Sequence, residues 1–179
     1  MLLLDGIVLG LIVGLLAGGS FARFGRVSLK GEYLILPLLI FQLAVPRVAS
    51  ALNIPGVFAL GLWVAVMCLL VALALWNRRW IGLTIAALGI ALNIVVIVAN
   101  GAMPVSLDAV ARLDPTVVPQ FDLVHESLGA ETRLAGLADV IAIPGPSWHR
   151  GVASPGDILL SAGAGIFVFA AMRKRSENV

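Results

Sequence analysis

Long apolar runs alternate with short polar punctuation along this chain, and the runs have the length of helices rather than strands. Val57 to Trp76 holds twenty residues without a charge. As a helix rising about 1.5 Å per residue it is about 30 Å long, the thickness of a bilayer's hydrocarbon core. Residues 2–19, 33–52, 81–99 and 158–172 read the same way. Turn formers and charges fill the breaks: Arg23, Arg26 and Lys30 after the first run, then Asn53-Ile54-Pro55-Gly56, then Asn77-Arg78-Arg79 between Trp76 and Trp80. Tryptophans flanking a basic turn mark a membrane interface. The pattern predicts an all-α membrane protein of five spans (2–19, 33–52, 57–76, 81–99 and 158–172) forming a single integral membrane domain over residues 1–179.

Residues 100–155 depart from this pattern. N-G-A-M-P-V-S leaves the fourth run, Ser106 is placed to cap a short helix through Leu113, and Asp122 to Leu128 reads as another. D-P-T-V-V-P-Q between them is extended or turning. Val110, Leu113, Phe121, Leu137 and Ile141 are among many apolar residues here that a solvated linker does not need. A cap on the membrane surface, closing over the bundle, is expected.

Counting basic residues orients the chain. Arg23, Arg26, Lys30, Arg78, Arg79, Arg173, Lys174 and Arg175 fall on one side, against Arg47, Arg112, Arg133 and Arg150 on the other. The positive-inside rule sets the N-terminus outside, the C-terminus inside and the cap outside. Composition agrees with a membrane location: 60% of the 179 residues are hydrophobic and 12% charged, and the mean hydropathy is +1.05. A net charge of +2 gives no reason to expect a nucleic-acid partner. The single cysteine, Cys68, lies within an apolar run, so a disulfide inside the chain is excluded. Met1-Leu2-Leu3-Leu4-Asp5 lacks the positive start of a secretory signal, so the first segment is expected to be retained.

Gly6, Gly10, Gly14 and Gly18 recur every four residues and form one stripe on the first helix. Small-residue stripes let membrane helices approach closely. Packing on another helix of the same chain and contact with a larger membrane complex both fit.

Candidate chemistry centres on two acids in apolar settings, Asp139 in L-A-D-V-I and Asp157 in S-P-G-D-I. Two carboxylates that meet share a proton and activate a water. Asp157 has a structural reading too: Ser154-Pro155-Gly156-Asp157 is an N-cap, a proline at the first helical position and an acid at the third. His125 and His149 lie in the connection and not on the helices, and no metal-binding motif is present, so neither metal nor cofactor is expected. Arg47, Asn100, His149 and Arg150 are candidate substrate-binding residues at the outer surface. Asn93 and Asn100 share a helix face, where polar side chains commonly join helices.

Two resemblances follow from these motifs. Through L-N-I-V-V-I-V-A-N-G-A-M-P-V-S, L-A-D-V-I-A-I-P and S-P-G-D-I-L-L the chain resembles, over nearly its whole length, a bacterial membrane-protein family described only as a domain of unknown function. That resemblance implies a multi-pass protein of the bacterial cytoplasmic (inner) membrane, and no activity. Over roughly residues 33–172 the chain is also remotely similar to lipoprotein signal peptidases. Those have four spans, one acid in a V-V-D-F-I-like segment and a second in F-N-x-A-D at the start of the last span. L-A-D-V-I and A-S-P-G-D stand in those places, so the resemblance implies catalytic roles for Asp139 and Asp157. The family's asparagine before the second acid and its N-x-x-D-R motif have no counterpart here.

The sequence thus supports a signal-peptidase-like aspartic hydrolase at the outer membrane surface, acting on a lipid-linked peptide. The alternative is a non-catalytic accessory subunit, or a binder of membrane lipids or lipopeptides. A transporter ranks third, because spans two to five carry no central ionisable residue and no repeat is evident.

Overall fold

A computed structural model describes residues 2–119 and 121–173. It is mostly helical: α1 (Leu2–Leu16), α2 (Phe21–Phe24), α3 (Glu32–Ala51), α4 (Gly56–Trp76), α5 (Ile81–Asn100), α6 (Leu107–Leu113) and α7 (Pro155–Arg173). Helices α3, α4, α5 and α7 are long and apolar enough to cross a membrane, which identifies a multi-pass membrane protein. Helix α1 is apolar but has only 15 residues, about 22 Å of rise and short of a full hydrocarbon core. The structure therefore gives four candidate spans and one shorter apolar helix where the sequence pattern gave five spans. Lys174 and Arg175, counted in the orientation argument, lie outside the described residues.

Packing follows the order α1–α7–α5–α4–α3, so the last helix sits between the first and the fifth. Glycine makes this insertion possible. A Cβ on Gly6 would stand 2.1 Å from the Ser161 carbonyl oxygen, and one on Gly10 would stand 2.4 Å from that of Gly165. On the other face of α7, Gly82 opposes Gly163 at 2.5 Å and Gly89 opposes Gly156 at 2.4 Å by the same measure. Both glycine pairs are spaced by seven residues, two helical turns, so they repeat on one face of each helix. The helix backbones touch with no side chain between them, the geometry by which membrane helices gain packing contact without a hydrophobic driving force.

The stripe on α1 is therefore spent inside the chain, and it ends earlier than its spacing implies. Gly14 meets the Met172 side chain, but Gly18 has open space around it and a φ of +76°. It terminates α1 instead: the Gly18 N–H donates to Leu15 O and the Gly19 N–H to Gly14 O, a Schellman motif that needs a left-handed residue. Both ends of α1 are tied to α7, by the Ser161 hydroxyl donating to Leu2 O at 2.6 Å and by the Ser20 N–H donating to Met172 O.

Residues 101–154 form a compact layer at the end where α5 finishes and α7 begins. Strand β1 (Met103–Val105) pairs in parallel with β2 (His125–Ser127), and Asp139 bridges to Val105 on the other side of β1. Strands β3 (Ile141–Ile143) and β4 (Gly151–Ala153) form an antiparallel hairpin. Helix α6 is capped by Ser106, whose hydroxyl accepts the Ala109 N–H, as its sequence predicts. The helix expected over Asp122–Leu128 is absent; that stretch folds into an Asp122-capped turn and β2. Val96 and Ile97 of α5, Met103 and Ala138 make a buried cluster, with Leu60, Trp63, Leu128 and Val140 packed around it. This cluster fastens the layer to α4 and α5.

Candidate functional site

Asp157 opens α7 within a reciprocal capping box. Its N–H donates to the Ser154 hydroxyl at 2.9 Å, and the Ser154 N–H donates back to a carboxylate oxygen at 3.1 Å. The other oxygen accepts the side-chain amide of Asn93, on α5, at 2.8 Å. Asn93 in turn accepts the Ser154 hydroxyl proton through its Oδ1, at 2.9 Å. Asn93 and Ser154 are buried, so three polar side chains close a small network between two apolar helices, each satisfying another. Gly156 makes room for it, since a Cβ there would fall 1.9 Å from Asn93 Oδ1.

Asp139 is held from its backbone. Its N–H donates to Pro104 O and its carbonyl accepts the Ser106 N–H, both at 2.9 Å. These bonds turn the side chain inward, where it is 7% exposed, and Oδ1 is buried without a hydrogen-bond partner. Burial and, next, the negative charge of Asp157 raise its carboxyl from the ordinary 3.8 to about 7, against a smaller opposing pull from His125. The two acids thus feel each other electrostatically, although no hydrogen bond joins them. Asp139 has the character of a proton donor near neutrality; Asp157 accepts a hydrogen bond on each carboxylate oxygen.

Asp157 also lines a cleft of about 280 Å³ walled by Leu2, Leu3, Ile143, Leu160 and the β4 backbone, with His149 and Arg150 at its rim. His149 Nε2 lies 2.9 Å from both carboxylate oxygens of Asp5 on α1, and the Arg150 guanidinium donates to Asp114. Asp114 is held below its ordinary range by the Thr116 hydroxyl and amide, with Arg150 adding to them. These two pairs pin the β3–β4 loop to α1 and to the end of α6.

The remaining candidates stand elsewhere. Arg47 donates to Leu43 O within its own helix. Asn100 clasps the cap: its amide donates to Val96 O and Arg133 O, and its oxygen accepts the Arg133 N–H. Neither bonds to an acid of the site. His125 pairs with Asp122. Among the described residues no group of three or more His, Cys, Asp or Glu side chains is arranged to hold a metal ion. The bracing of Asp157 by Asn93 and Ser154 carries a partial sequence signal, the capping pattern plus one polar residue in an apolar helix. Pairing of Asp5 with His149, 144 positions apart, carries none.

The profile of a family described as Family of unknown function (DUF5317) matches residues 26–169. The chain belongs to that family. Both acids, Asn93, Ser154, His149 and Arg150 lie within the matched region, and α1 precedes it. No curated protein and no solved structure matches the chain.

Proposed function

We propose that this member of the family is an aspartic hydrolase working at the outer face of a bacterial inner membrane, on a lipid-linked or membrane-anchored peptide. The observation that supports it is Asp139: a buried carboxyl with an unpartnered oxygen, raised to about 7 by burial and by the charge of a second acid. An arrangement of this kind costs stability and concentrates at functional sites. In the proposed reaction Asp157 accepts a proton from a water whose oxygen attacks the scissile carbonyl carbon. Asp139 gives its proton to the carbonyl oxygen. Collapse of the tetrahedral intermediate breaks the C–N bond: the amine leaves with a proton from Asp157, and a hydroxyl of the intermediate returns its proton to Asp139 as the product carboxyl forms. The cleft beside Asp157, apolar on the α1 side and polar at His149 and Arg150, suits an amphipathic chain.

The test is turnover of a fluorescent diacyl-modified peptide by the purified protein in detergent. Asp139→Asn and Asp157→Asn are each expected to lower kcat by about 10²-fold or more. Absence of turnover by the wild-type protein, or full activity in both variants, contradicts the reading.

A second reading, a non-catalytic subunit, is favoured by the complete engagement of the Asp157 carboxylate in the helix cap and with Asn93. Under it, Asp157→Asn lowers thermal stability and has no catalytic effect to show.

A further inference from the structure

Helix α3 buries only Val45 and Ala49, both in its second half. Toward its first residues a groove of about 410 Å³ separates it from α4, walled by Leu34, Leu38, Leu69, Ala72, Leu73 and Trp76. The walls are hydrocarbon apart from the Trp76 ring, and the groove lies within the membrane-crossing stretch of both helices. Its end near Gly31 and Trp76 adjoins basic residues. Lys30 immediately precedes Gly31, which packs on Leu73 and the Trp76 ring; Arg78 and Arg79 follow Trp76, and Arg26 stands in the same loop. All four cations are exposed, and none has a carboxylate within ion-pair distance among the described residues. The nearby acid, Glu32, is occupied by the Leu29 N–H at 2.8 Å.

The loop that carries this charge is built into place. Buried Asn77 accepts the Lys30 N–H at 2.8 Å and donates to Lys30 O at 2.9 Å, while Arg79 donates to Ser28 O at 2.9 Å. The Lys30 and Arg78 side chains take no part in this anchoring; Lys30 adjoins Gly31, which packs on Leu73 and Trp76, and Arg78 follows Trp76 by two residues, so both are carried by backbone next to the groove. An apolar slot with unpaired cations at its membrane-surface end matches one class of ligand: a lipid with a negatively charged head.

We propose that the α3–α4 groove is a binding site for one anionic phospholipid, with an acyl chain against Leu34, Leu38, Leu69 and Ala72 and the phosphate at Lys30 and Arg78. This site is separate from the acid pair and independent of the hydrolase reading.

Native mass spectrometry of the full-length protein in neutral detergent tests it, with phosphatidylglycerol and phosphatidylcholine of identical chains as probes. One phosphatidylglycerol per chain is expected to be retained in preference to phosphatidylcholine. Each cation at a membrane surface contributes about fivefold in affinity, so the Lys30→Gln/Arg78→Gln double variant should weaken phosphatidylglycerol binding roughly 25-fold and leave phosphatidylcholine unchanged. Ala72→Trp, which fills the groove, should weaken both lipids. Equal binding of the two lipids overturns the proposal. So does a charge variant that binds phosphatidylglycerol like the wild type, or an Ala72→Trp variant that binds both lipids undiminished.

Discussion

The Asn93 amide donates to the Asp157 carboxylate at 2.8 Å, and this bond crosses from the second half of one membrane helix to the start of another. It fixes the rotation of α7 against α5 and so fixes where one acid of the pair points. The Ser154 hydroxyl completes the ring by donating to Asn93 Oδ1. Helix packing and acid placement are therefore one structural event.

Gly156→Ala puts a methyl group 1.9 Å from Asn93 Oδ1 and 2.6 Å from the Gly89 carbonyl oxygen. A loss of about 3 kcal/mol or more is expected, since the second obstacle is backbone and cannot turn aside. Asn93→Ala keeps the space but leaves Ser154 and Asp157 short of a partner, which costs about 1–3 kcal/mol. Thermal unfolding in a mild detergent should rank wild type above Asn93→Ala and Gly156→Ala lowest.

Two glycines separate packing from composition. Gly10→Leu drives a side chain into the Gly165 backbone and should lever α1 off α7, exposing the 17–20 segment to protease. Gly61, in α4, has nothing within 4 Å of an added Cβ. Gly61→Ala should be neutral or stabilising by up to about 1 kcal/mol, because alanine is the better helix former. A destabilised Gly61→Ala would mean that an occupant of that face is missing from this account.

The clearest spans were legible because α4 is an uncharged apolar run and α5 an apolar run broken by Asn93, with turn formers at each end. Helix α7 starts at Pro155, where the Ser154 capping pattern put its first turn, three residues before the apolar span from 158, because a capping box adds a turn that hydropathy does not register. In the layer, α6 was readable from its Ser106 cap. Strand β2 was not, since a three-residue strand owes its form to Met103–Val105, some 22 positions away, and not to its own pattern. Both acids drew attention as charges in apolar settings, and Asn93 as a helix-joining amide. Their electrostatic coupling depends on the fold bringing residues 139 and 157 to one end of α5, which no local pattern encodes.

Stability should depend on pH through Asp139. Its folded carboxyl, near 7, lies above the ordinary 3.8, so the folded state binds the proton more tightly. The stabilisation is full below about pH 4 and is lost as pH rises through 7. The rise corresponds to at most about 4 kcal/mol. Asp139→Asn cannot ionise, so it should melt above the wild type at pH 8 and close to it only below about pH 4. Parallel wild-type and variant profiles across that range would show that Asp139 is not the group responsible.

The central claim is that Asp139 and Asp157 act as one coupled acid pair. The most direct measurement is the titration of the Asp139 side chain, followed by its ¹³C carboxyl resonance in wild-type protein and in Asp157→Asn. A midpoint near 7 is expected in the wild type, and a lower midpoint once the neighbouring charge is removed. A midpoint near 4, or one that Asp157→Asn leaves unmoved, would contradict it.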